Sequence, residues 1–180
     1  LIDRKECPDD RRQKQIVITE EGLNLLMTLD YIEGKTDTFL KNLSLEEVNE
    51  FISKNPNTFN TPETWFQLVI DEKQTNEIIG DIGIHFIDDN NFQCEIGCTL
   101  NKRHHGKGFA FESLKATIDY LFKKLNKHRI VTSIDPKNID SIKLVERLGF
   151  RKEGHFKESL WFKGEWADDV IYAALKSDWK

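Results

Sequence analysis

Two periodicities trade places along the second half of this chain, and the exchanges outline its elements. Trp65-Phe66-Gln67-Leu68-Val69-Ile70 is a β-rich apolar run and predicts a strand. Asp71 to Asn76 turns the chain. Residues 77–86 predict a second strand, with Ile82, Ile84 and Phe86 alternating along it. Asp88-Asp89-Asn90-Asn91 reads as a hairpin turn. Residues 92–100 predict a third strand, so the three should form an antiparallel meander. The period then changes to 3.6. Leu114, Ile118, Leu121, Phe122 and Leu125 fall on one stripe, predicting a helix from Phe111 to Leu125 with Lys115, Asp119 and Lys123 facing away. Arg129 to Ile134 returns to strand. Coming after a helix, it is expected to cross over and run parallel to the third strand. Residues 138–147 predict a short helix closed by Gly149 at C′. Phe150 to Phe162 and Trp166 to Leu175 predict a final hairpin around Lys163-Gly164-Glu165.

The first third is less legible. Gln15-Ile16-Val17-Ile18-Thr19 is a candidate strand, and residues 19–43 carry mixed patterning. Ser44-Leu45-Glu46-Glu47 is a capping box, predicting a helix that stops near Asn55-Pro56. With no repeat or linker, 180 residues read as one domain: residues 1–43 are unplaced, 44–64 form a helix and loop, and 65–180 form the core.

Composition narrows the function. Hydrophobic residues make up 38% and charged residues 32%, as in an ordinary globular protein. The net charge of −5 argues against a general nucleic-acid surface, so any polyanionic ligand must be drawn by local groups. No apolar run approaches the roughly 20 residues of a membrane span, and Leu1-Ile2-Asp3-Arg4-Lys5-Glu6 is too charged for a secretory signal. The start at Leu1 rather than Met fits a trimmed product or fragment. Cys94 and Cys98 lie roughly 13 Å apart along a strand, too far to bridge. With Cys7 they suit a reducing cytoplasm. His104 and His105 are adjacent and point apart, so no metal site is expected.

The candidate chemistry sits where the third strand gives way to the long helix. Gly106 and Gly108 in His105-Gly106-Lys107-Gly108-Phe109-Ala110 predict a tight turn with exposed N–H groups. The helix that follows aims its positive end at the same place, as an anion cradle requires.

Four segments in order resemble the GNAT superfamily of acyl-CoA-dependent N-acetyltransferases, of the RimJ/RimL type. Glu95-Ile96-Gly97 resembles the E-I-G of that family's fourth strand. The 105–110 segment resembles its coenzyme A loop, Q/R-x-x-G-x-G/A, with His105 at the Q/R position; Arg103 opens an alternative frame. Asn138-x-x-Ser141-x-x-Leu144-x-x-x-Leu148-Gly149-Phe150 resembles its N-x-x-S…LGF helix, and Asp169, Tyr172 and Asp178-Trp179 resemble its last strand. The match covers nearly two thirds of the chain, and the family's usual opening T-E-R-L strand has no clear counterpart.

The resemblance implies a mixed α/β (α+β) fold with a mostly antiparallel sheet of about six or seven strands and helices on both sides. The Glu95 strand should neighbour the Ile130–Ile134 strand in parallel and splay from it at the coenzyme. It implies a cytoplasmic enzyme transferring acetyl from acetyl-CoA, without metal, to a primary amine: a protein N-terminus, a polyamine, or a small amine or antibiotic. Glu95 would be the base and Ser141 the acid toward the leaving thiolate. Cys98, Thr99 and Leu100 would carry the pantetheine arm, with Arg103, His105, Gly106, Lys107, Gly108, Phe109, Ala110, Asn138 and Ser141 also on the coenzyme. The residue-level readings stay beside these. Glu95 can be a solvated strand carboxylate, Asn138 a helix cap, Ser141 a local hydroxyl bond, Tyr172 a core residue, Trp161 and Trp166 packing, and Lys143 and Arg147 a charged face. Residues 44–64 would shape the acceptor site, and a homodimer is an open option. The alternative functions are a non-catalytic acyl-CoA-binding or regulatory module, and a nucleotide-binding protein. The last is disfavoured because Lys107 lies between the glycines and no Walker Lys-Ser/Thr pair follows.

Overall fold

A computed structural model describes residues 58–87, 89–162 and 164–180. The candidate strand at 15–19, the helix expected at 44–55 and Cys7 lie outside them.

The described chain forms six strands and two helices: β1 (Trp65–Glu72), β2 (Glu77–Phe86), β3 (Gln93–Leu100), α1 (Phe109–Lys123), β4 (Arg129–Ile134), α2 (Ile139–Arg147), β5 (Arg151–Phe162) and β6 (Glu165–Leu175). The strands make one sheet in the order β1-β2-β3-β4-β6-β5. Every pairing is antiparallel except β3 with β4. The meander and the parallel crossover are both as the periodicity predicts.

Alternation sorts each strand into two faces. Cys94 and Ile96 of β3, Ile130 of β4 and Val170 and Tyr172 of β6 join one core cluster. Leu114, Ile118, Leu121 and Phe122 of α1 and Val145 of α2 belong to the same cluster. Both described helices therefore cover one face of the sheet. Ile118, Leu121 and Ile130 are fully buried there, each contributing roughly 1.5–3 kcal/mol.

Two helix starts deserve their physical reasons. α1 begins at Phe109, two residues before the apolar stripe suggested, because Gly108 at φ +87° sets the N-cap itself. α2 begins behind Asn138, whose side chain accepts from the Ser141 N–H at 3.1 Å. It ends on Gly149 at φ +92°. There Phe150 N–H bonds the Val145 carbonyl and Gly149 N–H bonds that of Glu146, both at 3.0 Å. That double bond is the Schellman closure.

Candidate active site

The parallel pairing of β3 and β4 covers three positions only: Gln93 with Arg129, Cys94 with Ile130, and Glu95 with Val131. Beyond Glu95 the two strands separate, although β3 runs on to Leu100 and β4 to Ile134. Among the described residues no strand pairs with that edge of Ile96–Leu100. Its backbone groups are left for another partner. Glu95 stands at the fork.

Glu95 lies on the face opposite the helices, together with Gly97 and Thr99. Among the described residues a Cβ built on Gly97 would meet nothing within 4 Å, so none of them fills the space beside Glu95. Across β2, His85 pairs with Glu95, and its Nδ1 lies 3.9 Å from the carboxylate. On β1, Trp65 pairs with His85, and the two rings stack at 4.7 Å with 4° between their planes. On β6, Asp169 is buried and accepts a hydrogen bond from the Ser133 hydroxyl at 2.8 Å. Burial pushes the Glu95 carboxyl above its ordinary range. His85 acts against that shift and Asp169 adds to it. A carboxylate shifted upward is a better proton acceptor at neutral pH. The sequence singled out Glu95 and did not anticipate His85 or Trp65 beside it. The signal available was the alternation that puts residues 85 and 95 on the same face once the hairpin register is known.

The coenzyme loop begins where β3 ends. Lys102–His104 forms one 3₁₀ turn, with Arg103 N–H bonded to Asn101 Oδ1 at 3.1 Å. His105 Nε2 donates to the Leu100 carbonyl at 2.8 Å, so this side chain folds back on the strand end. Gly106 and Gly108 adopt φ +72° and +87°, and a Cβ on either would meet none of the described residues within 4 Å. Gly108 places no side-chain cap on α1. The positive end of the helix dipole faces the glycine loop there, as an anion site requires. Lys107 is exposed between the glycines.

The other candidates take their places around this frame. Ser141 occupies the first turn of α2 and is half-buried. No hydrogen bond or ion pair among the described residues joins it to Glu95. Asn138 acts as the N-cap. Cys98 faces the core, and burial, with Asp81 adding to it, pushes its thiol up to about 12. Tyr172 is a core residue whose hydroxyl donates to Glu146 at 2.9 Å. Arg147 lies over the Phe111 ring at 4.2 Å, and Lys143 is exposed. Trp161 and Trp166 pack edge to face at 5.3 Å near the hairpin tip, both largely exposed. Among the described residues Cys94 and Cys98 form no disulfide. Among the described residues no three His, Cys, Asp or Glu side chains are grouped to hold a metal, and no helix is long and apolar enough to cross a membrane.

Known proteins share this arrangement. The family model described as "Acetyltransferase (GNAT) domain" matches residues 28–151. An uncharacterized N-acetyltransferase, p20, of Bacillus licheniformis is 40% identical over 114 residues, 63% of this chain and 63% of its own. The [ribosomal protein uS5]-alanine N-acetyltransferase of Escherichia coli is 34% identical over 124 residues, 68% of this chain and 64% of its own. The matches thus span less than two thirds of these relatives' length. The crystal structure of a GNAT-family acetyltransferase from Bacillus anthracis superposes with a TM-score of 0.63 at 30% identity, covering 75% of this chain and 76% of that one. With a family model matching well over half of its length, and a sheet that forks at Glu95 ahead of a glycine loop, the chain belongs to the GNAT acetyltransferase family.

Proposed function

We propose that this protein transfers the acetyl group of acetyl-CoA to a primary amine by direct attack within a ternary complex. The observation that carries this reading is the fork: β3 loses β4 as a partner immediately after Glu95, and its free edge leads into the glycine loop. The pantetheine arm lies along the backbone of Cys98, Thr99 and Leu100, completing the unpaired edge. The pyrophosphate sits on the N–H groups of residues 105–110, with Lys107 supplying charge and Asn138 near the coenzyme. The space at Gly97 takes the acetyl group.

Most amines are protonated at neutral pH and must lose a proton before they attack. Glu95 accepts it, directly or through water, and its raised pKa suits the task. Ser141 donates toward the departing thiolate. Holding both substrates in register supplies much of the remaining rate, on the order of 7–11 kcal/mol when well oriented. A thiol held protonated is a poor nucleophile, so Cys98 is no acyl carrier, which favours direct transfer. The acceptor is a protein N-terminus, a polyamine or a small amine. The relative that acts on an alanine of ribosomal protein uS5 supports the first of these.

Thiol release from acetyl-CoA against a panel of amines, with an alanine-initiated peptide and spermidine included, tests the reading. Turnover with at least one amine is expected. Tight acetyl-CoA binding without turnover on any amine would favour a binding module instead.

A further inference from the structure

The row Trp65–His85–Glu95 has no place in the mechanism above beyond its last member. We propose that His85 is a second proton-handling group of the site: held flat against Trp65, it takes from Glu95 the proton that the acceptor amine loses and passes it to solvent. This rests on the reading of Glu95 as the base.

Three observations support it. The imidazole is oriented, because Trp65 stacks on it with planes 4° apart and so fixes the ring plane. Its Nδ1 is the atom turned to Glu95, at 3.9 Å from Oε2. Closing that gap by about 1 Å makes a hydrogen bond. The ring is also partly open: 28% of the His85 side chain is exposed, against 31% for Glu95, so water can reach the imidazole. Register makes the juxtaposition rigid, since Trp65, His85, Glu95 and Val131 oppose one another across four strands. Imidazole is the side chain that exchanges protons near neutral pH. Glu95 must return to the carboxylate before the next turnover, and the imidazole beside it offers an outlet for the proton.

The proton balance closes. An ammonium and a thioester become an amide, a thiol and one free proton. The ammonium loses its first proton to Glu95. The neutral nitrogen then attacks the carbonyl carbon, and the C–N bond forms as the C–S bond breaks. Ser141 protonates the departing sulfur, and the second nitrogen proton restores the Ser141 hydroxyl. Glu95 returns its proton to Nδ1 of His85 while Nε2 releases one to water, and proton exchange of the imidazole with water then restores the Nε2–H tautomer for the next turnover.

Among the described residues the charged groups acting on Glu95 are His85 from β2 and Asp169 from β6; β4 sets the uncharged Val131 opposite. His85 lowers the pKa of the Glu95 carboxyl, so removing the imidazole raises it. The test compares His85→Gln, His85→Ala, Glu95→Gln and the wild type in three measurements. The first is ¹³C NMR titration of the Glu95 carboxyl, which needs no substrate: it moves to higher pH in His85→Gln. The second is the pH profile of kcat/KM with acetyl-CoA and either an alanine-initiated peptide or spermidine. His85→Gln lowers kcat by about 10- to 100-fold, moves the acidic limb to higher pH, and leaves calorimetric acetyl-CoA affinity and melting temperature near wild type. The third is addition of free imidazole, which restores turnover to His85→Ala. A Glu95 titration that does not move in His85→Gln overturns the coupling. A slow Glu95→Gln beside a His85→Gln with wild-type kcat and pH profile overturns the relay while the Glu95 reading stands. Near-normal turnover in Glu95→Gln instead overturns the reading beneath it, and the relay with it.

Discussion

As the proposed base, Glu95 would carry two opposed demands, because a base must be ionised to accept a proton and burial penalises that ionisation. Its raised pKa is the result. In activity, the acidic limb of kcat/KM should lie above the range of an ordinary carboxylate, with turnover falling as pH drops through it. In stability the sign is equally definite. A carboxyl whose folded pKa exceeds its unfolded one favours folding fully below the unfolded pKa and loses that contribution as pH rises through the folded value. At neutral pH the charge is therefore a burden, and Glu95→Gln should melt no lower than wild type. Its rate should fall by about 10²–10⁴-fold with acetyl-CoA affinity nearly unchanged, and raising pH should recover part of it as more amine becomes neutral. Loss of stability and affinity together would mark Glu95 as a structural residue. Cys98 is the contrasting case: a thiol pushed up to about 12 is inert. Cys98→Ala should keep the kinetic pattern of a ternary complex, and loss of turnover with retained acetyl-CoA affinity would contradict direct transfer.

At the scale of the element, the two helix starts divide the work between binding and stability. Gly108 holds φ +87° ahead of an uncapped helix. A Cβ there meets none of the described residues within 4 Å, but a valine is forced into the left-handed region, at roughly 1–2 kcal/mol. It also projects into the path of an approaching phosphate. Gly108→Val is expected to weaken acetyl-CoA binding strongly in calorimetry, with only a modest fall in melting temperature. Unchanged affinity would refute the placement of the pyrophosphate. Asn138 works mainly for the fold through its bond to the Ser141 N–H at 3.1 Å. Asn138→Ala should reduce stability by about 0.5–2 kcal/mol in urea unfolding. A larger loss of coenzyme affinity than of stability would show that it also touches the ligand.

At the scale of the molecule, the proposed function makes acetyl-CoA the partner that would complete the fork. On that proposal β3, the glycine loop and α1 would all hold the same ligand, at the place where β3 and β4 part. A ligand that binds only the folded state stabilises it by about 2.7 kcal/mol at one hundred times Kd. A clear rise in melting temperature with acetyl-CoA is expected, larger than with acetate or pantetheine alone. No rise at saturating acetyl-CoA would mean that the free edge of β3 is not the binding surface.

Most of the element order was legible from periodicity alone, because a strand or helix that buries one face must repeat its apolar positions every second residue or every three to four. That reasoning located β2, β3, β4 and the stripe of α1, and the strand–helix order implied the parallel crossover. The glycine loop was legible for a related reason: positive φ and close backbone approach demand glycine itself, so Gly106 and Gly108 report their conformation by identity. What no local pattern encodes is which residues of different strands meet. His85 opposes Glu95 only through the register of the β2–β3 hairpin, and a slip of one residue would turn it to the core. Trp65 reaches the same row through a second register, and Asp169 through the crossover and β6. The parting of β3 from β4 after three pairs, and the raised pKa of Glu95, depend on strands far apart in sequence. The chain itself determined the elements, the loop and the candidate carboxylate. Only the tertiary structure decided their company, because burial and charge act through space and not along the chain.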